Sequence, residues 1–124
     1  MKKIISALSL LILLLTLAAC QNPLGEREYM EDLYVNIPNT DYQLLIKEWR
    51  YLLGSGEEVY FISAEGEEPV LLGNLNGGDD GYCPFKNGKY AVKYADGAVT
   101  ISWSRIGNDT YEQSESFALP VDAP

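Results

Sequence analysis

The segment that most constrains the fold is the run KYAVKYADGAVTISWS, which occupies residues 89–104. On each side of Asp96-Gly97 every second residue is apolar: Tyr90, Val92 and Tyr94 before it, Val99, Ile101 and Trp103 after it. Alternation with a period of two is typical of a strand with one buried face. An Asp-Gly pair between two such runs favours a two-residue hairpin turn. The run therefore predicts an antiparallel β-hairpin.

Other short segments rich in strand-forming residues lie on both sides of this hairpin. They are EEVYFIS at 57–63, PVLLGNL at 69–75 and TYEQSESFALP at 110–120, and turn-forming residues separate them. Regular spacing of short strands and turns is typical of small all-β domains. The prediction is an all-β fold, a small antiparallel meander that forms a sandwich or a barrel-like domain.

Residues 40–54, TDYQLLIKEWRYLLG, carry two conflicting patterns. On a helical wheel the apolar residues fall within about 120°, and Thr40 and Gln43 match a helix capping box. The GSG that follows at 54–56, with EEVYFIS behind it, indicates instead a hairpin between two long strands. A strand is favoured, and one short helix near residues 41–53 stays as the alternative.

The N-terminus has the pattern of an export signal that ends at a cysteine. MKK is followed by an apolar run to Leu17, and then by Leu17-Ala18-Ala19-Cys20. This pattern resembles the type II signal peptide and lipobox of bacterial lipoproteins. The resemblance implies removal of residues 1–19 and diacylation of Cys20, with palmitate or a similar chain. Two acyl chains suffice for stable anchoring.

The expected location is the extracytoplasmic side of the cell membrane or an outer membrane, within the cell envelope. Gln21 in place of aspartate after the cysteine favours the outer membrane in a two-membrane bacterium. We therefore divide the chain into a signal peptide (1–19), the lipidated cysteine with a tether (20–34) and one small β-rich domain (35–124).

Charge and composition exclude several functions. The formal charge is −9, and it becomes −11 when Lys2 and Lys3 leave with the signal peptide. Such a domain is not expected to bind nucleic acid. The sequence contains no histidine, which removes Ser-His-Asp and Cys-His catalysis and histidine zinc sites. We expect a protein that is not an enzyme, with no catalytic residues and no cofactor.

The segment LNGGDDGYCPFKNG, residues 75–88, is the best candidate for a ligand or partner loop, through Asp79, Asp80 and Tyr82. Its spacing does not match an EF-hand, because the closing glutamate is replaced by Asn87. No metal site is predicted, although a looser calcium site remains an alternative. The alternative interpretation is purely structural: a glycine-rich connection between strands. Cys83 has no partner once Cys20 is acylated, and we expect a buried, inert thiol.

The leading hypothesis for function is a membrane-anchored, non-enzymatic binding domain with an extracytoplasmic protein partner. A second hypothesis is an inhibitor or immunity-type lipoprotein that binds a cationic secreted enzyme. Ser55-Gly56-Glu57-Glu58 resembles the Ser-Gly-x-x-Tyr signature of lipoprotein lysozyme inhibitors, with Tyr60 one residue late. The acidic charge would suit cationic lysozyme. A third hypothesis is a calcium- or solute-binding domain.

Overall fold

The computed structural model of the chain describes residues 26–64 and 66–121. The predicted signal peptide, Cys20 and the first part of the tether lie outside these residues. The described residues form eight strands and no helix. The strands are β1 (Glu28–Tyr29), β2 (Leu33–Asn36), β3 (Gln43–Tyr51), β4 (Gly54–Ile62), β5 (Val70–Leu75), β6 (Tyr90–Ala95), β7 (Ala98–Trp103) and β8 (Gln113–Ala118). The predicted all-β class is confirmed.

The strands form two antiparallel sheets. In the larger sheet β3 pairs with β4, β4 with β5, and both β1 and β2 pair with β3. The smaller sheet has the order β6-β7-β8. The two sheets share one core, to which the larger contributes Leu44, Ile46, Val59 and Phe61 and the smaller Val99, Ile101 and Trp103. The architecture is a small β-sandwich, one of the two forms predicted.

The hairpin predicted at residues 89–104 is confirmed. Ala95 pairs with Ala98, so that the turn consists of Asp96 and Gly97 alone. Both residues have positive φ, 54° and 77°, as a type I′ turn requires. Because the turn fixes the register, Val99, Ile101 and Trp103 of β7 all face the core.

Residues 43–51 form strand β3, and the alternative of a helix near residues 41–53 was wrong. The helical pattern arises because apolar side chains lie on both faces of this strand. Leu44 and Ile46 face the core, whereas Leu45 and Trp49 lie on the outer face. The Thr40 side chain closes a turn, with its Oγ1 accepting from the Tyr42 N–H at 3.1 Å, and caps no helix.

The hairpin between β3 and β4 turns earlier than the GSG sequence indicated. Tyr51 pairs with Gly54, so the turn residues are Leu52 and Leu53, and 54–56 are already part of β4. The larger sheet also begins earlier, at Glu28, because β1 and β2 pair with β3. Strand β1 and the first two residues of β2, which were assigned to the tether on sequence, therefore belong to the sheet.

The aromatic residues divide between the core and the outer face of the larger sheet. Phe61, Phe85 and Trp103 lie in the core. On the outer face Trp49 stacks on Tyr51 with 5.6 Å between ring centroids, and the Arg27 guanidinium lies 4.0 Å from the Trp49 ring. Arg27 thus covers part of the Trp49 ring, whereas Tyr29 and Tyr34, which pair with β3 residues of the same face, are 52% and 56% exposed.

The turn at Asp96-Gly97 predicts an effect of substitution. Gly97→Ala should lower the free energy of unfolding by about 1 kcal/mol, because a Cβ is disfavoured at positive φ. The measurement is urea denaturation followed by tryptophan fluorescence. Asp96→Asn is the control: asparagine tolerates this conformation, so stability should change by less than about 0.5 kcal/mol. Equal destabilisation by the two variants would contradict this account of the turn.

Candidate functional site

The centre of the candidate site is a pair of buried glutamates on adjacent strands. Glu48 of β3 is directly opposite Glu57 of β4, and the two are 2% and 0% exposed. Opposite residues of an antiparallel pair share a face, and this face also carries the apolar core residues of both strands. The core is thus apolar at one end and acidic at the end nearest the Leu52-Leu53 turn.

Two backbone amides of a distant loop satisfy the carboxylate of Glu48. Phe85 N–H donates to Oε2 at 3.1 Å, and Lys86 N–H donates to Oε1 at 2.8 Å. Both oxygens act as acceptors, which suits an ionised carboxylate. Hydrogen bonds to a charged group are among the stronger ones in proteins, so Glu48 ties residues 85 and 86 to the hairpin.

The carboxyl group of Glu57 differs from that of Glu48 in its hydrogen bonding and its protonation. Among the described residues neither of its carboxyl oxygens has a hydrogen-bond partner. Burial raises the pKa of Glu57 to about 10, and the neighbouring Glu48 acts in the same direction. Glu57 therefore carries a proton at neutral pH, so that the two facing carboxyls hold one negative charge between them.

The segment 75–88 covers this acidic end as a structured loop. Ser55 Oγ donates to the Tyr82 carbonyl at 2.6 Å and accepts from Gly78 N–H at 2.7 Å. Trp103 Nε1 donates to the Gly77 carbonyl at 3.0 Å. A Cβ on Gly77 would collide with Ser55, which explains why this position is glycine. The loop is a connection between strands, and it also seals the buried pair.

The three residues predicted as a ligand loop have separate neighbours. Asp79 Oδ1 accepts from Arg105 Nη2 at 2.6 Å and from Nε at 2.9 Å. Asp80 is exposed, with a φ of 54°. The Tyr82 ring lies against Gly107. The side chains are thus held on different contacts and do not converge on one ligand position.

Two further possibilities for the loop are a reactive thiol at Cys83 and a metal site formed by its carboxylates. The Cys83 thiol is buried and free. Burial, assisted by Glu48, raises the pKa of Cys83 to about 11, which disfavours the reactive thiolate. Across residues 26–64 and 66–121, no three His, Cys, Asp or Glu side chains cluster closely enough to hold a metal ion.

A concavity of about 410 Å³ opens beside Glu48, between the β1–β2 connection and the loop, and we call it the Glu48 concavity. Its apolar lining includes Met30, Leu33 and Phe85. The charged residues that line it are Glu28, Glu31, Asp32, Glu48 and Lys86. Its wall thus combines an apolar part with an excess of negative charge.

Sequence analysis did not identify Glu48 or Glu57 as a pair. Their opposition follows by counting back from the Tyr51–Gly54 pair, so a turn placed at Leu52-Leu53 would have revealed it. The GSG sequence led to a turn predicted at residues 54–56, instead of at Leu52 and Leu53. No local pattern indicates that Phe85 and Lys86 reach Glu48 across almost forty residues of chain.

Comparison with known proteins gives no relative for this chain: no family model, curated protein or solved structure matches it. In the part of the chain that the structure describes, no helix is long and apolar enough to span a membrane.

The raised pKa of Glu57 predicts how stability depends on pH. The unfolded chain ionises this group above pH 4.5, whereas the folded chain keeps its proton up to about pH 10. The free energy of unfolding should therefore fall as pH rises through this window, by at most about 1.4 kcal/mol per pH unit from this group. Glu57→Gln, which mimics the protonated form, should flatten the profile between about pH 6 and pH 8. Chemical denaturation at each pH measures it.

Glu48→Gln is the matched control, because it makes the same change at the facing carboxyl, whose oxygens accept hydrogen bonds from the loop. The amide keeps one acceptor and places an NH2 group against a backbone N–H, so we expect a loss of about 2 kcal/mol at neutral pH. Steep pH dependence retained in Glu57→Gln would show that Glu57 is not the responsible group.

Proposed function

We propose that the mature protein is a lipid-anchored, extracytoplasmic binding domain without enzymatic activity, which holds a cationic protein partner at the Glu48 concavity. The N-terminal sequence supports the anchor through its basic start, apolar run and Leu17-Ala18-Ala19-Cys20. The observation that carries the binding role is the concavity itself, which joins apolar walls to an excess of carboxylates.

The chemistry of the concavity favours a lysine or arginine side chain as the group that enters it. Such a side chain has an apolar stem, which suits Met30, Leu33 and Phe85, and a cationic head, which suits Glu31 and Asp32. Glu31 and Asp32 are exposed, so a partner reaches them without any rearrangement of the fold. The acidic charge of the whole domain would further speed the encounter with a cationic protein.

An inhibitor of a cationic enzyme such as lysozyme is one form of this proposal. It relies on charge rather than on the partial Ser-Gly-x-x-Tyr match. Ser55 is buried and bonded to the loop. Tyr60 lies on the face opposite to Ser55 and Val59, since neighbours in a strand point to opposite sides. The calcium hypothesis has no comparable support, because Asp79 is already paired with Arg105.

The anchor predicts the behaviour of two cysteine variants. Cys20→Ser should move the protein from the membrane fraction to the soluble fraction, because the acylated atom is lost. Cys83→Ser, at the other cysteine of the sequence, should leave the protein in the membrane fraction. Cell fractionation with mass spectrometry of the N-terminal peptide provides the measurement. An N-terminal peptide of the wild-type protein that carries no acyl group on Cys20 would refute the anchor.

The binding site predicts the effect of two matched charge reversals. After cross-linking in intact cells has identified a partner, Glu31→Lys with Asp32→Lys should weaken its affinity at least about tenfold. Glu67→Lys with Glu68→Lys introduces the same change in charge on the exposed β4–β5 connection, away from the concavity. Titration of the acylated protein in detergent at several salt concentrations would compare the two. Equal losses would indicate general charge attraction and would overturn the site.

A further inference from the structure

The tip of the β3–β4 hairpin exposes two adjacent leucines. Leu52 and Leu53 are 73% and 59% exposed, and they are the two turn residues between Tyr51 and Gly54. Residues at tight turns are usually Gly, Asn, Asp, Pro or Ser, since turns face water. Neighbouring exposed leucines at the extreme end of a domain form an apolar projection with no partner in the described fold.

The direction of the chain places the N-terminal attachment at this same end. Glu28 pairs with Arg50 and Tyr29 with Trp49, so β1 runs antiparallel to β3. Followed towards the N-terminus, the chain therefore heads for the hairpin tip. Glu26 and Leu52 indeed line one shallow concavity of about 430 Å³.

The length of chain between Cys20 and Glu26 keeps this end close to the bilayer. Six residues extend at most about 20 Å. Strand β3 alone, with nine residues, is about 30 Å long. The part of the tether before Glu26 is thus shorter than the domain, so an acylated Cys20 holds the hairpin tip nearer the membrane than the opposite end.

A third exposed apolar side chain, that of Ile106, lies near the tip. Ile106 is 64% exposed, and it follows Arg105, whose carbonyl accepts from Asp79 N–H at 3.0 Å. Asp79 in turn bridges to Gly54 at the base of the turn.

The charged groups around the tip carry only a small part of the net negative charge. All three arginines of the sequence lie here, Arg27, Arg50 and Arg105. The carboxylates beside them are Glu26, Glu28, Asp79, Asp80 and Glu112. These eight side chains sum to −2, while the mature domain carries −11. This end is therefore repelled by anionic lipid far less than the rest of the domain, and guanidinium groups are well suited to lipid phosphates.

We propose that Leu52 and Leu53 form a membrane-contact tip, which inserts between the lipid headgroups of the bilayer that holds Cys20. This inference rests on the proposed acylation and deepens it, because it assigns the domain an orientation. Interfacial segments bury apolar side chains about 5–10 Å into the headgroup region, a depth that a two-residue tip can reach. The tip adds a second, weak contact to the lipid anchor, and the short tether makes that contact effectively intramolecular.

The test is hydroxyl-radical footprinting of the acylated protein in vesicles of phosphatidylethanolamine and phosphatidylglycerol. Leu71 is the internal control, since it is 54% exposed, similar to Leu53, and lies on β5 near the opposite end of the domain. The reference is the mature chain, residues 20–124, with Cys20→Ser in solution. The Leu53:Leu71 labelling ratio should fall at least about fivefold in the vesicles, because lipid excludes water from the tip alone.

A second measurement uses paired variants at exposed positions. In Leu52→Ser with Leu53→Ser, labelling of Ile106 in the vesicles should return to its level in solution. In the control, Val70→Ser with Leu71→Ser, Ile106 should stay protected. An acylated, vesicle-bound protein with an unchanged Leu53:Leu71 ratio would overturn the membrane contact and leave the anchor standing. A protein that carries no acyl group on Cys20 in cells would overturn both.

Discussion

The interaction on which the acidic end of the structure depends is the contact of Glu48 with two backbone amides of the loop. A buried carboxylate without hydrogen bonds would destabilise the fold by several kcal/mol. Phe85 and Lys86 remove that penalty by donating their N–H groups to its oxygens. Their position requires residues 76–88 to close over the hairpin, and Ser55, Gly77 and Gly78 complete the closure. One charged group thereby organises a long loop that contains no regular secondary structure.

The burial of a second carboxyl, that of Glu57, opposite Glu48 adds to the energetic cost of this arrangement. Two facing carboxylates cannot both ionise in a buried site, so Glu57 retains a proton. Burying charged groups is costly, so stability alone does not account for the pair. Glu57 is fully buried, whereas Glu48 also lines the concavity that we propose as the partner site. The same carboxylate thus connects the loop, the core and the surface.

The features that bear on function gather at one end of the sandwich. The hairpin tip, the N-terminal strand β1, the loop over the acid pair and the residues around Arg105 all lie there. The connection at Asp96-Gly97 and the β4–β5 connection lie at the other end. In the proposed orientation the Glu48 concavity opens close to the bilayer, where an envelope partner would be held between the domain and the membrane. The apolar end of the core then serves mainly to keep the two sheets together.

Prediction from sequence succeeded where neighbouring residues carry all the information. The β6–β7 hairpin needs only an alternating pattern and an Asp-Gly turn, and both strands and the turn between them were predicted. Strand β3 was ambiguous because Leu45 and Trp49 add apolar residues to its outer face, which makes a half-buried strand resemble a helix. The β3–β4 turn was misplaced because glycine-rich sequence usually marks a turn, whereas here Gly56 gives room for the Trp49 ring.

The amino-acid sequence by itself determined the strand-rich character, the Asp96-Gly97 turn, the acidic charge and the absence of histidine, because each is a property of single residues or of close neighbours. Only the tertiary structure decided that Glu48 meets Glu57, that Phe85 and Lys86 satisfy Glu48, and that Asp79 belongs to Arg105. These contacts depend on strand register and on loop closure over 26 to 38 residues. A shift of register by one residue would move each side chain to the other face, so composition and periodicity do not contain them.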